Sequence, residues 1–501
     1  MRKTFDVIMV TDTATHPNWS RGYGAHRLAS HMRSHGFSVL VIDFSSAMNF
    51  DIWKQICNYA IGENTQMIGF STTWWPYRNP FDNSDTPNFR RCNVEWQTET
   101  GENDDIDPTS LTYHAATGKA KPWIDIIKEK NKKIKVVIGG PKIDYYKDFP
   151  ADYFINGLGE NQILDLLTQP KRIWPKVLEH DINSNAREWG WRESTTVYTD
   201  FDQIKPNEIL TLEIARGCKF KCSFCSFPLI GQKDIASYLK TEETIYQEML
   251  DNYNKWGTTR YFIADDTFND SIEKLEMVAR IKSKLPFDLK IKAYIRIDVI
   301  ATQREQLTLL PKTGLASCFI GIESFHPEAS KFAGKGMSAD KRKKVLYDIR
   351  DTWGDSVSLN AGYIVGLPGE DEAFVREQAK WFMQKDCPIN YAASFIGLVI
   401  NPYRPGSYIA GSEIDRNPEA FGYTIPDMSK PNHWIKNDGT DITSYMQAQN
   451  LANELNRQVW AVNRGEEDNV DYKIAGSIQD PKNEYFIPLI EMLKSLDINQ
   501  N

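Results

Sequence analysis

The sequence predicts an α/β protein built from two successive parallel-sheet units, and three observations carry that prediction. In the first 170 of the 501 residues, short apolar runs alternate with amphipathic helical segments. The alternation resumes at Ile209 and repeats about six times up to residue 400. Three of the seven cysteines, Cys218, Cys222 and Cys225, form one C-x3-C-x2-C group directly behind the first apolar run of the second unit.

In the first unit, residues 5–10 are an apolar run broken only by Asp6. Residues 23–35 then place Ala25, Leu28, Ala29 and Met32 on one helical face and stop at Gly36. Residues 39–42 give a second run and 51–61 a second helix; 67–70, 136–138 and 153–155 supply further strands. Apolar strands separated by helices require a parallel sheet covered on both faces, and such sheets take ligands beyond the carboxyl ends of their strands. A stretch of about forty residues, 74–121, interrupts the pattern and is far longer than an ordinary loop.

Residues 171–205 break the alternation with Pro175, a polar run, Trp189 and Trp191, and read as a linker over the surface. In 206–400, apolar runs at 209–214, 261–264, 291–295, 318–322, 359–365 and 391–399 are separated by helices. One helix starts at Thr241, carries Glu242 and Glu243 in its first turn and stops at Gly257; another, 271–285, turns Ile272, Leu275, Val278 and Ala279 inward. Six successive units predict a partial (β/α)6 barrel of TIM type, with its chemistry at the carboxyl ends of the strands. Those ends carry the cysteines, Asp265, Asp266, Arg296, Glu323 and Ser324. After residue 401 the chain reads as a mostly helical and irregular tail with one amphipathic helix over 444–462. Trp434 and Tyr445 read as packing residues before substrate contacts, and 496–501 are expected to fray. Four segments follow: 1–170, 171–205, 206–400 and 401–501.

Thiolates are soft ligands that select iron–sulfur clusters, zinc or copper(I). Structural zinc is four-coordinate, yet no Cys or His follows Cys225 until Cys318, and the nearest His before Cys218 is His180. A closed electron-carrier cluster lacks its fourth cysteine for the same reason. Three thiolates on one short loop hold three irons of a cubane and leave the fourth open. A zinc-stapled or purely iron–sulfur binding protein is the non-enzymatic alternative. Cys57, Cys92, Cys318 and Cys387 are scattered and read as buried hydrophobes.

The spacing, with Phe224 ahead of the last cysteine, resembles the signature of the radical S-adenosylmethionine (radical SAM) superfamily. The resemblance runs through the second unit. Asp265-Asp266-Thr267-Phe268 stands where relatives receive the SAM amino group; Arg296, Glu323 and Ser324 resemble residues that hold its carboxylate and ribose. Gly362, Ile364 and Gly366 match the G-x-I-x-G pattern that backs the adenine. The resemblance implies a [4Fe-4S] cluster on Cys218, Cys222 and Cys225, with SAM on the open iron and Phe224 beside the adenine. It also implies reductive cleavage of SAM to a 5′-deoxyadenosyl radical that attacks an unactivated carbon of a substrate the sequence does not identify. A one-electron reductant such as flavodoxin or ferredoxin is the implied partner.

The first unit resembles the Rossmann-like cobalamin (B12)-binding domain ahead of many radical SAM cores, through residues 36–43, 137–141 and 152–160. Ser71, Gly139 and Gly140 are then the candidate cobalamin contacts, the paired glycines letting a flat cofactor approach the backbone. Cobalamin would imply methylation of carbon; without it, rearrangement, cyclisation or oxidation stay open. The lower-ligand motif D-x-H-x-x-G is missing, since His16 has the wrong spacing from Asp12. The 74–121 stretch is expected to cover the cofactor or fill its place. A methylthiotransferase-like enzyme would need a second cysteine cluster in the first unit, for which Cys57 and Cys92 are too few.

A net charge of −8 with no long basic run argues against a dedicated nucleic-acid binder. No apolar run approaches the roughly 20 residues that span a bilayer, so no membrane association is expected. The start of the chain reads as a strand and not a signal peptide. An odd number of cysteines, three of them clustered, fits a reducing cytoplasm.

Overall fold

The computed structural model describes residues 4–12, 21–73, 75, 77–78, 89–90, 107–140, 143–179, 190–206, 208–225, 238–389, 391–401, 412–427, 432–462 and 483–498. His16, Cys92, His180 and Trp189 lie outside them.

The first unit runs β1 (Val7–Val10), α1 (Tyr23–Ser34), β2 (Val39–Ile42), α2 (Phe50–Ala60) and β3 (Met67–Ser71). It continues through a short antiparallel pair, β4 (Tyr77–Arg78) and β5 (Phe89–Arg90), to α3 (Leu111–Ala116), α4 (Lys121–Lys130), β6 (Lys135–Gly139), β7 (Tyr153–Asn156), α5 (Glu160–Thr168) and β8 (Val177–Glu179). Six parallel strands are ordered β2-β1-β3-β6-β7-β8. Alternate residues feed opposite faces: Ile8 and Val10 pack with Trp53 and Trp123, whereas Val7 and Met9 pack with Ala29 and Ile163.

One expectation for this half is corrected, and a second falls largely outside the described residues. Val177–Glu179, expected in a surface linker, pairs with β7 as the sixth strand. A three-residue strand is too short to show a period. In the described part of the connection after it, Trp191, Tyr198 and Asp202 are buried. Of the 74–121 stretch, expected to cover the cofactor or fill its place, residues 74, 76, 79–88 and 91–106 lie outside the described residues, and the described part supplies core side chains. Trp75, Leu111 and Ala115 join the α2–α4 face, and α3 is capped by Ser110, whose hydroxyl accepts from Tyr113 N.

The second unit runs β9 (Leu210–Leu212), α6 (Glu242–Trp256), β10 (Arg260–Ile263), α7 (Ile272–Lys284), β11 (Lys290–Ile295), α8 (Ile297–Thr302), α9 (Gln306–Lys312), β12 (Leu315–Glu323), α10 (Pro327–Phe332), α11 (Ala339–Trp353), β13 (Ser358–Val365), α12 (Glu372–Phe382) and β14 (Ala392–Gly397). The six strands are parallel and lie in chain order, the open barrel the alternation predicted. Cys318, Ile320, Leu359, Ala361 and Tyr363 pack under the helices. The opposite face carries Phe262, Tyr294 and Phe319, whose rings meet edge to face at 5.7 and 5.6 Å.

The tail contains α13 (Glu413–Arg416), a hairpin of β15 (Tyr423–Thr424) and β16 (Ile435–Lys436), α14 (Tyr445–Ala461) and α15 (Phe486–Ile498). Trp434 and Tyr445 are buried in packing. The expected fraying from residue 496 is corrected: the helix continues to Ile498, and Phe486, Leu489, Ile490 and Leu493 join the core of the first unit beside α2.

Candidate active site

The cysteine loop follows β9 because a buried carboxylate bends the strand end. Asp265 Oδ1 accepts from the amides of Ile214 and Ala215, both at 2.9 Å, and Oδ2 pairs with Lys274 Nζ at 3.1 Å. Lys274 also meets Asp270 at 2.8 Å. Burial works against its charge, but these two carboxylates outweigh burial and raise its pKa. Asp265 therefore shapes the loop from below and is not open to a ligand. Asp266, next along the chain, faces the cavity described below, and burial together with the Asp265 charge pushes its carboxyl up to about 7.

Cys218 is buried beside Thr267 Oγ1 at 3.5 Å, and burial raises its thiol pKa. Cys222 and Cys225 are half-buried, with the Cys225 amide donating to Cys222 O at 3.1 Å. Arg296 Nη1 donates to Cys222 Sγ at 3.1 Å. The same guanidinium is oriented by Asp298 at 2.7 Å and by Gly334 O at 3.0 Å, and it lies 4.0 Å over the Phe220 ring. Phe224 packs at the edge of the barrel core.

The donor chemistry fits a cluster better than zinc. Four-coordinate zinc with bonds of about 2.3 Å brings its sulfurs to roughly 3.8 Å of one another. Among the described residues, no three Cys, His, Asp or Glu that include these cysteines have ligand atoms within 4.8 Å of each other. None of the described cysteines is in a disulfide.

Of the other expected SAM contacts, Glu323 lies at the end of β12 with a φ of 61°, a left-handed conformation rare for a non-glycine residue and found mostly at functional turns. Its carboxylate is 3.3 Å from Lys335 Nζ. Ser324 does not join it. Its hydroxyl is fully buried and donates to Glu370 Oε1 at 2.5 Å. A Cβ at Gly362 would come within 2.6 Å of the Phe319 ring, and Gly366, at a φ of 93°, lets Trp434 pack against the strand end. Ile364 is half-buried beside them.

A cavity of about 330 Å³ opens between the two sheets, where the carboxyl ends of both converge. The first unit contributes Met9, Ser71, Gly139, Gly140 and Glu160; the second contributes Glu213, Arg216, Gly217 and Asp266. Ser71, Gly139 and Gly140 thus come together on the wall facing the cysteine loop. Gly24 and Gly217 widen it, with nothing within 4 Å of a Cβ placed on Gly24. Gly140 has a φ of 110°, and a Cβ there would sit 2.8 Å from Thr72 Oγ1. A glycine-lined seam suits the flat face of a large cofactor. No histidine is among the described residues that line it. His26 on α1 is turned away, with Nε2 3.0 Å from Asp43.

Residues 212–381 match the family model of the radical SAM superfamily. This segment is a radical SAM domain. An uncharacterised methyltransferase of Pyrococcus horikoshii is 24 % identical over 327 residues, covering 60 % of this chain and 66 % of the relative. The ribosomal-protein methylthiotransferase RimO of Dictyoglomus thermophilum is 24 % identical over 258 residues, covering 49 % and 55 %. The chain thus spans about half to two thirds of the length of these relatives. Among solved structures, the radical SAM methyltransferase TsrM of Kitasatospora setae, with cobalamin and a [4Fe-4S] cluster bound, superposes with a TM-score of 0.57 at 17 % identity, over 89 % of this chain and 82 % of TsrM. The cobalamin-dependent radical SAM enzyme OxsB, with aqua-cobalamin and SAM bound, gives 0.54 at 14 % identity, over 98 % and 66 %. The shared architecture is a Rossmann-like sheet followed by the radical SAM domain. No helix among the described residues is long and apolar enough to cross a membrane.

Sequence reasoning missed the polar clamp in the seam beside the radical SAM domain. Arg216 holds Glu213 with two bonds of 2.8 and 3.0 Å and reaches Glu160 of the first unit at 2.9 Å. Burial opposes the guanidinium's charge, but Glu213 and Glu160 raise its pKa overall. The one available signal was an arginine directly before the Gly217-Cys218 pair.

Proposed function

We propose that this chain is a cobalamin-dependent radical SAM enzyme that methylates an unactivated carbon. The cavity carries the reading: it sets Ser71, Gly139 and Gly140 across a short gap from Arg216 and Gly217, the residues that lead into Cys218. At about 330 Å³ the cavity would take part of a corrinoid.

Cys218, Cys222 and Cys225 would hold a [4Fe-4S] cluster, which with bound SAM supplies a 5′-deoxyadenosyl radical for hydrogen abstraction. Ser71, Gly139 and Gly140 would hold cobalamin, which supplies a methyl carrier. The chain's own residues do the positioning. Arg296 directs an N–H at the Cys222 sulfur and so disperses negative charge on that thiolate. Asp265 fixes the strand end from which the loop departs. Asp266, facing the seam with a carboxyl that titrates near neutrality, can take or return a proton at its Oδ atoms, as well as receive the SAM amino group. Glu323 is oriented by Lys335 toward the ribose role that the resemblance implies.

A methylthiotransferase role is disfavoured by Cys57, which lies fully buried in the first unit's core with its thiol pKa driven up by burial. Anaerobic reconstitution with iron and sulfide, followed by dithionite and SAM, is expected to yield 5′-deoxyadenosine, and Cys222→Ala to abolish it with the circular dichroism spectrum unchanged. Unchanged 5′-deoxyadenosine in that variant would refute the cluster assignment. Hydroxocobalamin is expected to co-elute with the protein on gel filtration and to be lost in Gly140→Val. Failure of the unaltered protein to retain it would leave rearrangement, cyclisation or oxidation as the chemistry.

A further inference from the structure

The resemblance gives Arg296 the carboxylate of SAM to hold, yet its guanidinium has no open edge to offer one. An arginine grips a carboxylate with two parallel bonds, through Nε and Nη2 or through Nη1 and Nη2. The first edge is closed by Asp298: Nε donates to Oδ1 at 3.1 Å and Nη2 to Oδ2 at 2.7 Å. The second is closed by Cys222 Sγ, 3.1 Å from Nη1, and by Gly334 O, 3.0 Å from Nη2. The Phe220 ring covers one face of the group at 4.0 Å. A single N–H on Nη1 is left, too few for a two-oxygen grip.

The residue is also fixed from behind. Asn269, fully buried, brackets its main chain: Oδ1 accepts from Arg296 N at 2.7 Å, and Nδ2 donates to Arg296 O at 2.9 Å. Gln306, fully buried at the start of α9, holds that amide in turn. It accepts from Asn269 Nδ2 at 2.8 Å and donates to Asn269 O at 3.1 Å. A satisfied buried amide pair leaves the backbone at Arg296 little freedom. On the other side Gly334, at a φ of 67°, brings its carbonyl to the guanidinium, and a Cβ there would lie 3.8 Å from Cys222 Sγ. All of this aims one N–H at one sulfur.

A charged donor on a thiolate ligand acts on the potential of the cluster that the thiolate holds. Reduction adds a negative charge, so the cation stabilises the reduced form more than the oxidised one. At 6 % exposure of Arg296, solvent screens that attraction little.

We propose that Arg296 serves the cluster and not the SAM carboxylate: its N–H to Cys222 Sγ raises the reduction potential, and Asn269 and Gln306 are the positioning residues that hold it there. The proposal rests on the iron–sulfur reading of the cysteine loop and departs from the role that the resemblance gives Arg296.

The test uses the full chain, reconstituted anaerobically with iron and sulfide. It is titrated with dithionite and mediator dyes in the absence of SAM, while electron paramagnetic resonance follows the reduced cluster. Arg296→Met is expected to lower the equilibrium constant for one-electron reduction roughly tenfold, about 59 mV for a one-electron couple. Asn269→Ala, which keeps the guanidinium but releases its backbone, is expected to lower it by a smaller factor. Affinity of the oxidised protein for SAM, read by equilibrium dialysis, is expected to stay within about twofold of the unaltered value in both variants. An unchanged potential in Arg296→Met overturns the proposal. So does a loss of SAM affinity of roughly tenfold or more in that variant, which would return the arginine to the carboxylate. Where Arg296→Met takes up no cluster, Asn269→Ala decides, and an unchanged potential there overturns the proposal as well. If the unaltered protein takes up no cluster, the iron–sulfur reading beneath the proposal fails instead.

Discussion

Glu370 closes a buried knot whose members come from the ends of β12 and β13 and from the tail. Its Oε1 accepts from Ser324 Oγ at 2.5 Å and Tyr363 Oη at 2.6 Å, while Lys436 Nζ donates to Glu370 O at 2.8 Å. Burial pushes the carboxyl up to about 7, although the Ser324 and Tyr363 bonds pull it down. A folded-state pKa above the unfolded carboxylate value means the native state holds a proton that the unfolded chain gives up. The associated stability is complete below about pH 4.5 and is lost as pH rises towards 7. A shift of this size corresponds to something on the order of 3 kcal/mol. Glu370→Gln is expected to flatten the decline in melting temperature between about pH 5 and 7.5, as read by calorimetry across that range. An unchanged slope would show that the group titrates elsewhere. The knot also shows the limit of sequence reading at this scale. Ser324 was legible as a polar residue at a strand end, but its hydroxyl turns towards Glu370, 46 positions along the chain. Nothing local in the sequence encodes that choice of face. Cys218, Cys222 and Cys225 were legible because their spacing is itself the chemical requirement.

Strand β14 is an edge, and α14 is the element that completes it. Asn456 acts as a surrogate strand residue: its Oδ1 accepts from Phe395 N at 2.7 Å and its Nδ2 donates to Phe395 O at 2.9 Å. Gln449 Oε1 accepts from Gly397 N at 3.3 Å, and Trp460 Nε1 donates to Ala393 O at 3.0 Å. These bonds satisfy a strand edge that an open six-stranded barrel would otherwise expose. Asn456→Ala leaves a buried amide and a buried carbonyl without partners and is expected to cost roughly 2–4 kcal/mol. Chemical denaturation measures the loss, and amide exchange at Phe395 should quicken while that at Tyr261, in β10, does not. Met446→Ala, at an exposed position on the same helix, is the control expected to change neither. The helix itself was legible from its apolar period. Its docking along the lateral edge of β14 was not. Edge satisfaction depends on amide side chains that look merely polar in sequence.

At the scale of the molecule, two parallel sheets present their carboxyl ends to one seam, and the tail returns to bind them. Both sheets were legible because strand–helix alternation is a periodic signal repeated many times. The joint between them was not, because it is made by single polar residues far apart in the chain. Arg21 of the first unit meets Asp43 at 2.8 Å and Glu208, just ahead of β9, at 3.1 Å, and donates to Tyr485 Oη of the tail at 3.2 Å. Arg216, one residue before Gly217 and two before Cys218, reaches across the seam to Glu160 at the first turn of α5. Both partners of that bridge are nearly solvent-free, at 8 % and 5 % side-chain exposure, so solvent screens the attraction little. Glu160→Ala leaves Arg216 buried with its two bonds to Glu213 intact. Outright loss of a buried partner costs about 3–5 kcal/mol; retention of the bidentate Glu213 pairing places the expected loss at the lower end, about 3 kcal/mol. The double variant Glu160→Ala/Arg216→Met is expected to lose less than the sum of the two single variants, since each single change already breaks the same bridge, although Arg216→Met also deprives Glu213 of its bidentate partner. Calorimetric melting of the two single variants and the double variant measures the coupling. Strictly additive losses would mean that the bridge does not join the halves. Because Arg216 also stands at the entrance to the cysteine loop, the single variant Glu160→Ala is further expected to loosen the loop, reducing the cluster retained after desalting relative to the unaltered protein.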